Sequence, residues 1–151
     1  MGNTRQILLA GMKSGMIAGV FGAILFGVFV EIALLIGNNH IAVLYFIMPI
    51  FVIGIPLGLL GGAVSGLLIG YAVSKNSDAI QFVRTPAVLL GCFAGGIYPL
   101  ILILLSVLLQ KSISQEELLE GILGLMGGVL SGGIAGLFGS KVFVRSMKGP
   151  R

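Results

Sequence analysis

The sequence predicts an all-α integral membrane protein: a four-helix transmembrane bundle built from two tandem, parallel-repeat helical hairpins. Three observations lead there. The chain is 57% hydrophobic and only 9% charged, with a mean hydropathy of +1.14, whereas a soluble domain carries about 25% charged residues. Its apolar residues collect into four runs near the ~20 residues that a membrane helix needs. Its 25 glycines fall in stripes at four-residue spacing, and the stripe of the second run recurs in the fourth. The expected unit is one membrane domain over 1–151, with repeat one at about 7–75 and repeat two at about 82–145.

The first span is expected at about 14–36. Arg5 and Lys13 precede it, but the run is too long for a signal-peptide core and no small-x-small site follows. The apolar stretch 41–73 has 33 residues, or ~50 Å as a helix against a ~30 Å hydrocarbon core. It therefore divides into a short outer-surface helix at about 41–48 and a second span at about 51–73. Pro56 removes a backbone donor and crowds the preceding turn, so a kink is expected there. The third span is expected at about 86–109, with Thr85 as cap, Pro86 at the first helical position and a kink at Pro99. The fourth covers about 118–144, and Ser114-Gln-Glu-Glu117 ahead of it has the form of a capping box.

The two halves resemble each other. GLLGGAVSGLLIGYAVSK (58–75) and GLMGGVLSGGIAGLFGSK (124–141) are identical at nine of 18 positions at an offset of 66. GMIAG (15–19) over GCFAG (91–95) gives a weaker match at an offset of 76, which implies about ten extra residues in the first hairpin. Two spans per copy give both copies one orientation, a parallel repeat.

The stripes explain why so much glycine sits in apolar segments. Gly15 and Gly19 belong to span one; Gly54, Gly58, Gly62, Gly66 and Gly70 to span two; Gly91 and Gly95 to span three; and Gly124, Gly128, Gly132 and Gly136 to span four. Lipid tails are as apolar as leucine, so helices in a bilayer associate through close contact, and small-xxx-small (GxxxG, or glycine-zipper) faces let backbones approach. These residues are read as helix-packing positions. Ser65 and Ser131, at equivalent places, are expected to bond back to a carbonyl one turn earlier or across an interface.

Basic residues set the orientation. Arg5, Lys13, Lys75, Arg84, Lys141, Arg145, Lys148 and Arg151 fall on one side of a four-span chain, with Lys111 alone on the other beside Glu31, Glu116, Glu117 and Glu120. The positive-inside rule then makes both termini cytoplasmic, in the plasma membrane as the simplest site. The net charge of +4 is accounted for by topology and anionic lipid, without a nucleic-acid partner.

No catalytic constellation, metal cluster or nucleotide loop stands out, so neither an enzyme nor a cofactor is expected. Cys92 reads as a small core residue and His40 as a loop residue. The favoured function is a non-catalytic accessory or structural subunit, with the bilayer and other transmembrane subunits, or copies of itself, as partners. The alternative is a small oligomeric channel or transporter with a cation or proton path near Glu31 and Glu120, since an ionisable residue in a span is a functional suspect. A His40→Cys variant should react with an impermeant thiol reagent from the outer face alone. Labelling from the cytoplasmic face would overturn the topology.

Overall fold

A computed structural model of the chain describes residues 3–36, 50–76, 80, 82–110 and 115–148. Among the described residues there are four α-helices: α1 Thr4–Ile36, α2 Ile55–Lys75, α3 Arg84–Gln110 and α4 Gln115–Lys148. Three are long and apolar enough to cross a membrane, over Thr4–Ile32, Val52–Lys75 and Gly121–Met147; a shorter apolar segment of α3 is Arg84–Ile97. The expected outer helix at 41–48, Pro49, His40 and the Ser114 cap lie outside the described residues.

The helices extend beyond the apolar runs. Helix α1 begins ten residues ahead of Ser14, with Asn3 accepting bonds from the backbone N–H of Gln6 (2.7 Å) and Ile7 (3.2 Å). Helix α3 begins at Arg84, not after Thr85, and its first turn is tied by Ala87 N–H to the carbonyl of Val83 at 3.1 Å. Pro86 is therefore inside the first turn, where its missing N–H costs nothing because those amides have no intrahelical acceptor. At Pro56 the chain forms a π-helical turn, Ile50–Gly54, that leads straight into α2 through Gly54 in α-helical conformation (φ −65°, ψ −42°). A widened turn is one of the standard responses to a disturbed i→i−4 ladder.

The molecule is inside out by the standards of a soluble protein. Its outward residues are large and apolar: Leu60 is 66% exposed, Leu89 64% and Phe93 70%. Apart from an apolar cluster at one end, its interior is built of glycine, alanine and serine, including Gly66, Gly70, Gly132, Ala135, Gly136 and Ser131. This distribution is adverse in water and natural in lipid, where apolar surface needs no cover and backbone contact supplies the association energy.

Two antiparallel pairs meet through their backbones. In α1 against α2, a Cβ added to Gly62 would stand 2.8 Å from the carbonyl carbon of Gly15 and 3.1 Å from Gly19 Cα. One added to Gly15 would stand 2.9 Å from Gly66 Cα. In α3 against α4, a Cβ on Gly95 would lie 2.8 Å from the carbonyl carbon of Gly128, and one on Gly136 would lie 3.0 Å from Val88 Cα. Real Cβ atoms essentially never approach within 3.0 Å of such neighbours. Since each obstacle is backbone, a side chain here forces the helices apart.

The pairs share a register. Gly11 faces Gly66 as Gly91 faces Gly132; Gly15 faces Gly62 as Gly95 faces Gly128; and Gly70 meets Ile7 and Leu8 as Gly136 meets Ala87 and Val88. The contacts coincide at offsets of 66 for α2 and α4 and 80 for α1 and α3. The offset of 76 expected for α1 and α3 is thus one helical turn out. Four-residue glycine spacing makes neighbouring turns nearly interchangeable in sequence, and only the partner helix distinguishes them.

Helices α1 and α4 join the pairs. A Cβ on Gly139 would come 2.7 Å from Ala18 Cβ, and one on Gly22 would come 3.1 Å from Ala135 Cβ. The rings of Phe21 and Phe138 lie 4.9 Å apart. At the end carrying the N-terminus of α1 and the C-terminus of α4, Ile7, Val73, Val83 and Phe143 form a buried apolar cluster. Gly62→Leu or Gly132→Leu should abolish the monodisperse species in mild detergent, whereas Gly61→Leu, where a Cβ would meet nothing within 4 Å, should leave it intact. Size-exclusion chromatography with circular dichroism separates these outcomes.

Candidate functional site

The helices enclose a cavity of about 410 Å³ lined from all four, with Gly15, Gly19, Gly58 and Gly62 among the wall residues of the first pair and Gly91, Gly95, Gly132 and Gly136 among those of the second. Gly54 also lines it. The apolar cluster of Val73, Val83, Ile7 and Phe143 stops one end, with Val83 and Phe143 themselves in the wall.

The wall is incomplete between α2 and α3, which touch little compared with the other neighbouring pairs. The shared register gives the reason. Where α4 presents Gly139 and Ala135 to α1, α2 has Val73 and Ile69 at the equivalent positions. Their branched side chains prevent the backbone approach that seals α1 on α4. They pack instead at the stopped end, with Ile80 and Val83. Farther along, Gly127 of α4 is covered by Phe29, at 3.7 Å from where a Cβ would be, while its equivalent Gly61 has open space.

The lining is nearly all apolar. Three of its four serines are occupied locally: Ser14 Oγ donates to the Gly11 carbonyl at 2.9 Å, Ser131 Oγ to Gly128 at 3.0 Å and Ser140 Oγ to Leu137 at 2.7 Å. Ser131 thus takes the intrahelical choice of the two expected for it. Ser65, the fourth, lines the cavity without the bond to a carbonyl expected for it. Among the described residues no buried side-chain N or O atom is left without a partner, and no group of three or more His, Cys, Asp or Glu gathers. The cavity lining contains no charged side chain and suits an apolar guest.

The sites expected from sequence divide accordingly. Gly15, Gly19, Gly58, Gly62, Gly66, Gly91, Gly95, Gly128, Gly132 and Gly136 come together across the two pairs, and a Cβ added to Gly70 would stand 3.1–3.3 Å from the backbone of Ile7 and Leu8. Gly124 departs from the rest of its stripe, since a Cβ there would meet nothing within 4 Å. The register explains this: its partner on α3 would be position 99, where the sequence has proline rather than glycine. Glu31 is half-buried on α1 and does not line the cavity; the Glu120 side chain lies outside the described residues. Cys92 packs on α4, its Sγ 2.9 Å from where a Gly133 Cβ would stand. Sequence reasoning missed the cavity itself, whose signal was the replacement of Ala135 and Gly139 by Ile69 and Val73 within otherwise matching stripes.

Six basic residues point outward toward the stopped end, beside the exposed Phe82, Leu9 and Tyr71. Arg5, Lys13, Lys75, Arg84, Lys141 and Arg145 are all exposed, and Lys75 Nζ sits 4.9 Å from the centroid of the Tyr71 ring, within cation–π range.

The architecture defines an all-helical protein whose apolar helices fit a membrane. No protein family matches the chain, and comparison with curated proteins and with solved structures finds no similar one.

Because each buried hydroxyl serves a carbonyl of its own helix, the Ser14→Ala, Ser131→Ala, Ser140→Ala triple variant should keep the wild-type fold. Its thermal midpoint by circular dichroism in detergent should move by no more than a few degrees, whereas a collapse would indicate bonds made between helices.

Proposed function

We propose that this chain is a non-catalytic, multi-pass accessory subunit of a larger membrane complex. In this reading the α3 helix also spans the bilayer, the two pairs are copies of one duplicated hairpin in parallel orientation, and both termini are cytoplasmic. The matching contact registers support the duplication. The gathering of six exposed basic residues at one end supports the orientation through the positive-inside rule. The glycine faces act as zippers within each hairpin, where a bulky residue would cost the backbone contact on which lipid-embedded helices rely.

The observation that carries the accessory role is the unclosed α2–α3 side. The other three sides of the bundle are joined by close contact, at the level of the backbone within each pair and of small side chains between α1 and α4. The fourth exposes small residues and a cavity to whatever surrounds it. A unit of this form contributes shape and apolar volume to an assembly. A cation or proton path near Glu31 and Glu120 draws no support from the cavity, whose lining excludes Glu31.

Purification in mild detergent, with mass measurement and subunit identification, tests the role. Stoichiometric co-purification with a larger complex is expected; a pure homo-oligomer that conducts ions in liposomes would overturn it. The Glu31→Gln, Glu120→Gln double variant should assemble like the wild type.

A further inference from the structure

We propose that the open α2–α3 side is a binding site for one anionic phospholipid, with an acyl chain in the cavity and the phosphate between Lys75 and Arg84. The inference rests on the membrane embedding proposed above and names the occupant of the open side.

Cavity length and lining point to the guest. Along α2 the lining runs from Gly54 to Ile69, about 22 Å of helix at 1.5 Å per residue, a length that an extended hydrocarbon chain can follow. The chemistry agrees: the wall is mostly glycine, alanine, aliphatic side chain and phenylalanine, and three of its four serines are spent on their own helices. With the Ser65 hydroxyl as the exception, the wall gives a polar ligand little reward for losing water.

Charge places the headgroup. Lys75 ends α2 and Arg84 begins α3, so the two cations flank the side on which the cavity opens. Both are exposed, next to Val73 and Val83, which meet at the stopped end. Ile69, where the lining begins on α2, lies six residues from Lys75, about 9 Å along the helix, and Gly61 about 21 Å. A chain descending from a phosphate at Lys75 therefore passes outside the Val73–Val83 contact, enters the cavity beyond Ile69 and ends near the open space at Gly61. Basic pockets between membrane helices on the cytoplasmic side are recognised sites for anionic headgroups. Lys75 supplies a point charge, held over Tyr71, and Arg84 a planar fork that matches phosphate oxygens.

The test uses the full chain, purified in mild detergent and equilibrated with vesicles of equimolar phosphatidylglycerol and phosphatidylcholine. Native mass spectrometry counts the lipids retained. The wild type should hold one phosphatidylglycerol per chain in preference to phosphatidylcholine. Each cation near a membrane surface is worth about fivefold for an anionic lipid, so Lys75→Ala with Arg84→Ala should reduce that preference about 25-fold. Gly61→Leu, and from the opposite wall Ala94→Leu, should lose both lipids while keeping the wild-type circular dichroism melt. Equal retention of the two lipids by the wild type would overturn the proposal. So would full phosphatidylglycerol retention by both filled-cavity variants, or capture of protein instead of lipid by a photo-crosslinker at position 61. Failure to co-purify with a complex, with these lipid results intact, would sink the accessory role and leave the lipid site standing.

Discussion

Everything in this molecule depends on the closeness of two backbones. Between Gly15 and Gly62, and again between Gly95 and Gly128, the space that a Cβ would need is already filled by the carbonyl of the opposite helix. In water such an interface would be a poor one, since it buries almost no side chain. In lipid there is no hydrophobic gain to forgo, and dispersion contact along several turns becomes the main source of attraction. The same requirement fixes the exterior. With the interior given over to glycine, the leucines and phenylalanines turn outward, where lipid accepts them.

The two pairs obey one register, yet the bundle they form is unsymmetrical. Gly139 and Ala135 let α4 settle on α1, while Val73 and Ile69 hold α2 away from α3. The facing positions differ as well, since at the offset of 80 Tyr98 and Leu102 stand where α1 has Ala18 and Gly22, so the sequence carries bulk on both helices of the open side. The cavity is the space between two tight pairs that are joined on one side only. The glycines that hold each pair together also form much of its wall, while the open space at Gly61 and the basic residues at its stopped end play no part in that contact. They are available to a guest.

Much of the fold was legible in the sequence because membrane helices announce themselves by composition. Four helices arise where four apolar runs stand, and the glycine stripes point to the faces that meet. Helix ends were less legible: α1 and α4 continue well past the apolar runs, since hydropathy marks where lipid begins and not where the i→i−4 ladder stops. Pro86 marked the start of α3 only to within a turn, because a proline is tolerated anywhere among the first free amides. The alignment of α1 with α3 was one turn out for a related reason: a stripe that repeats every four residues looks the same after a shift of four.

The sequence by itself determined the solvent, the four long helices of the described residues and the small-residue faces, because each of these is written in local composition and spacing. The tertiary structure alone decided which stripe meets which, in what register, and which side of the bundle stays open. Those outcomes turn on residues far apart in the chain, Ile69 and Val73 set against Ala135 and Gly139, whose difference in bulk acquires meaning only when a neighbouring helix attempts to come within reach of the backbone.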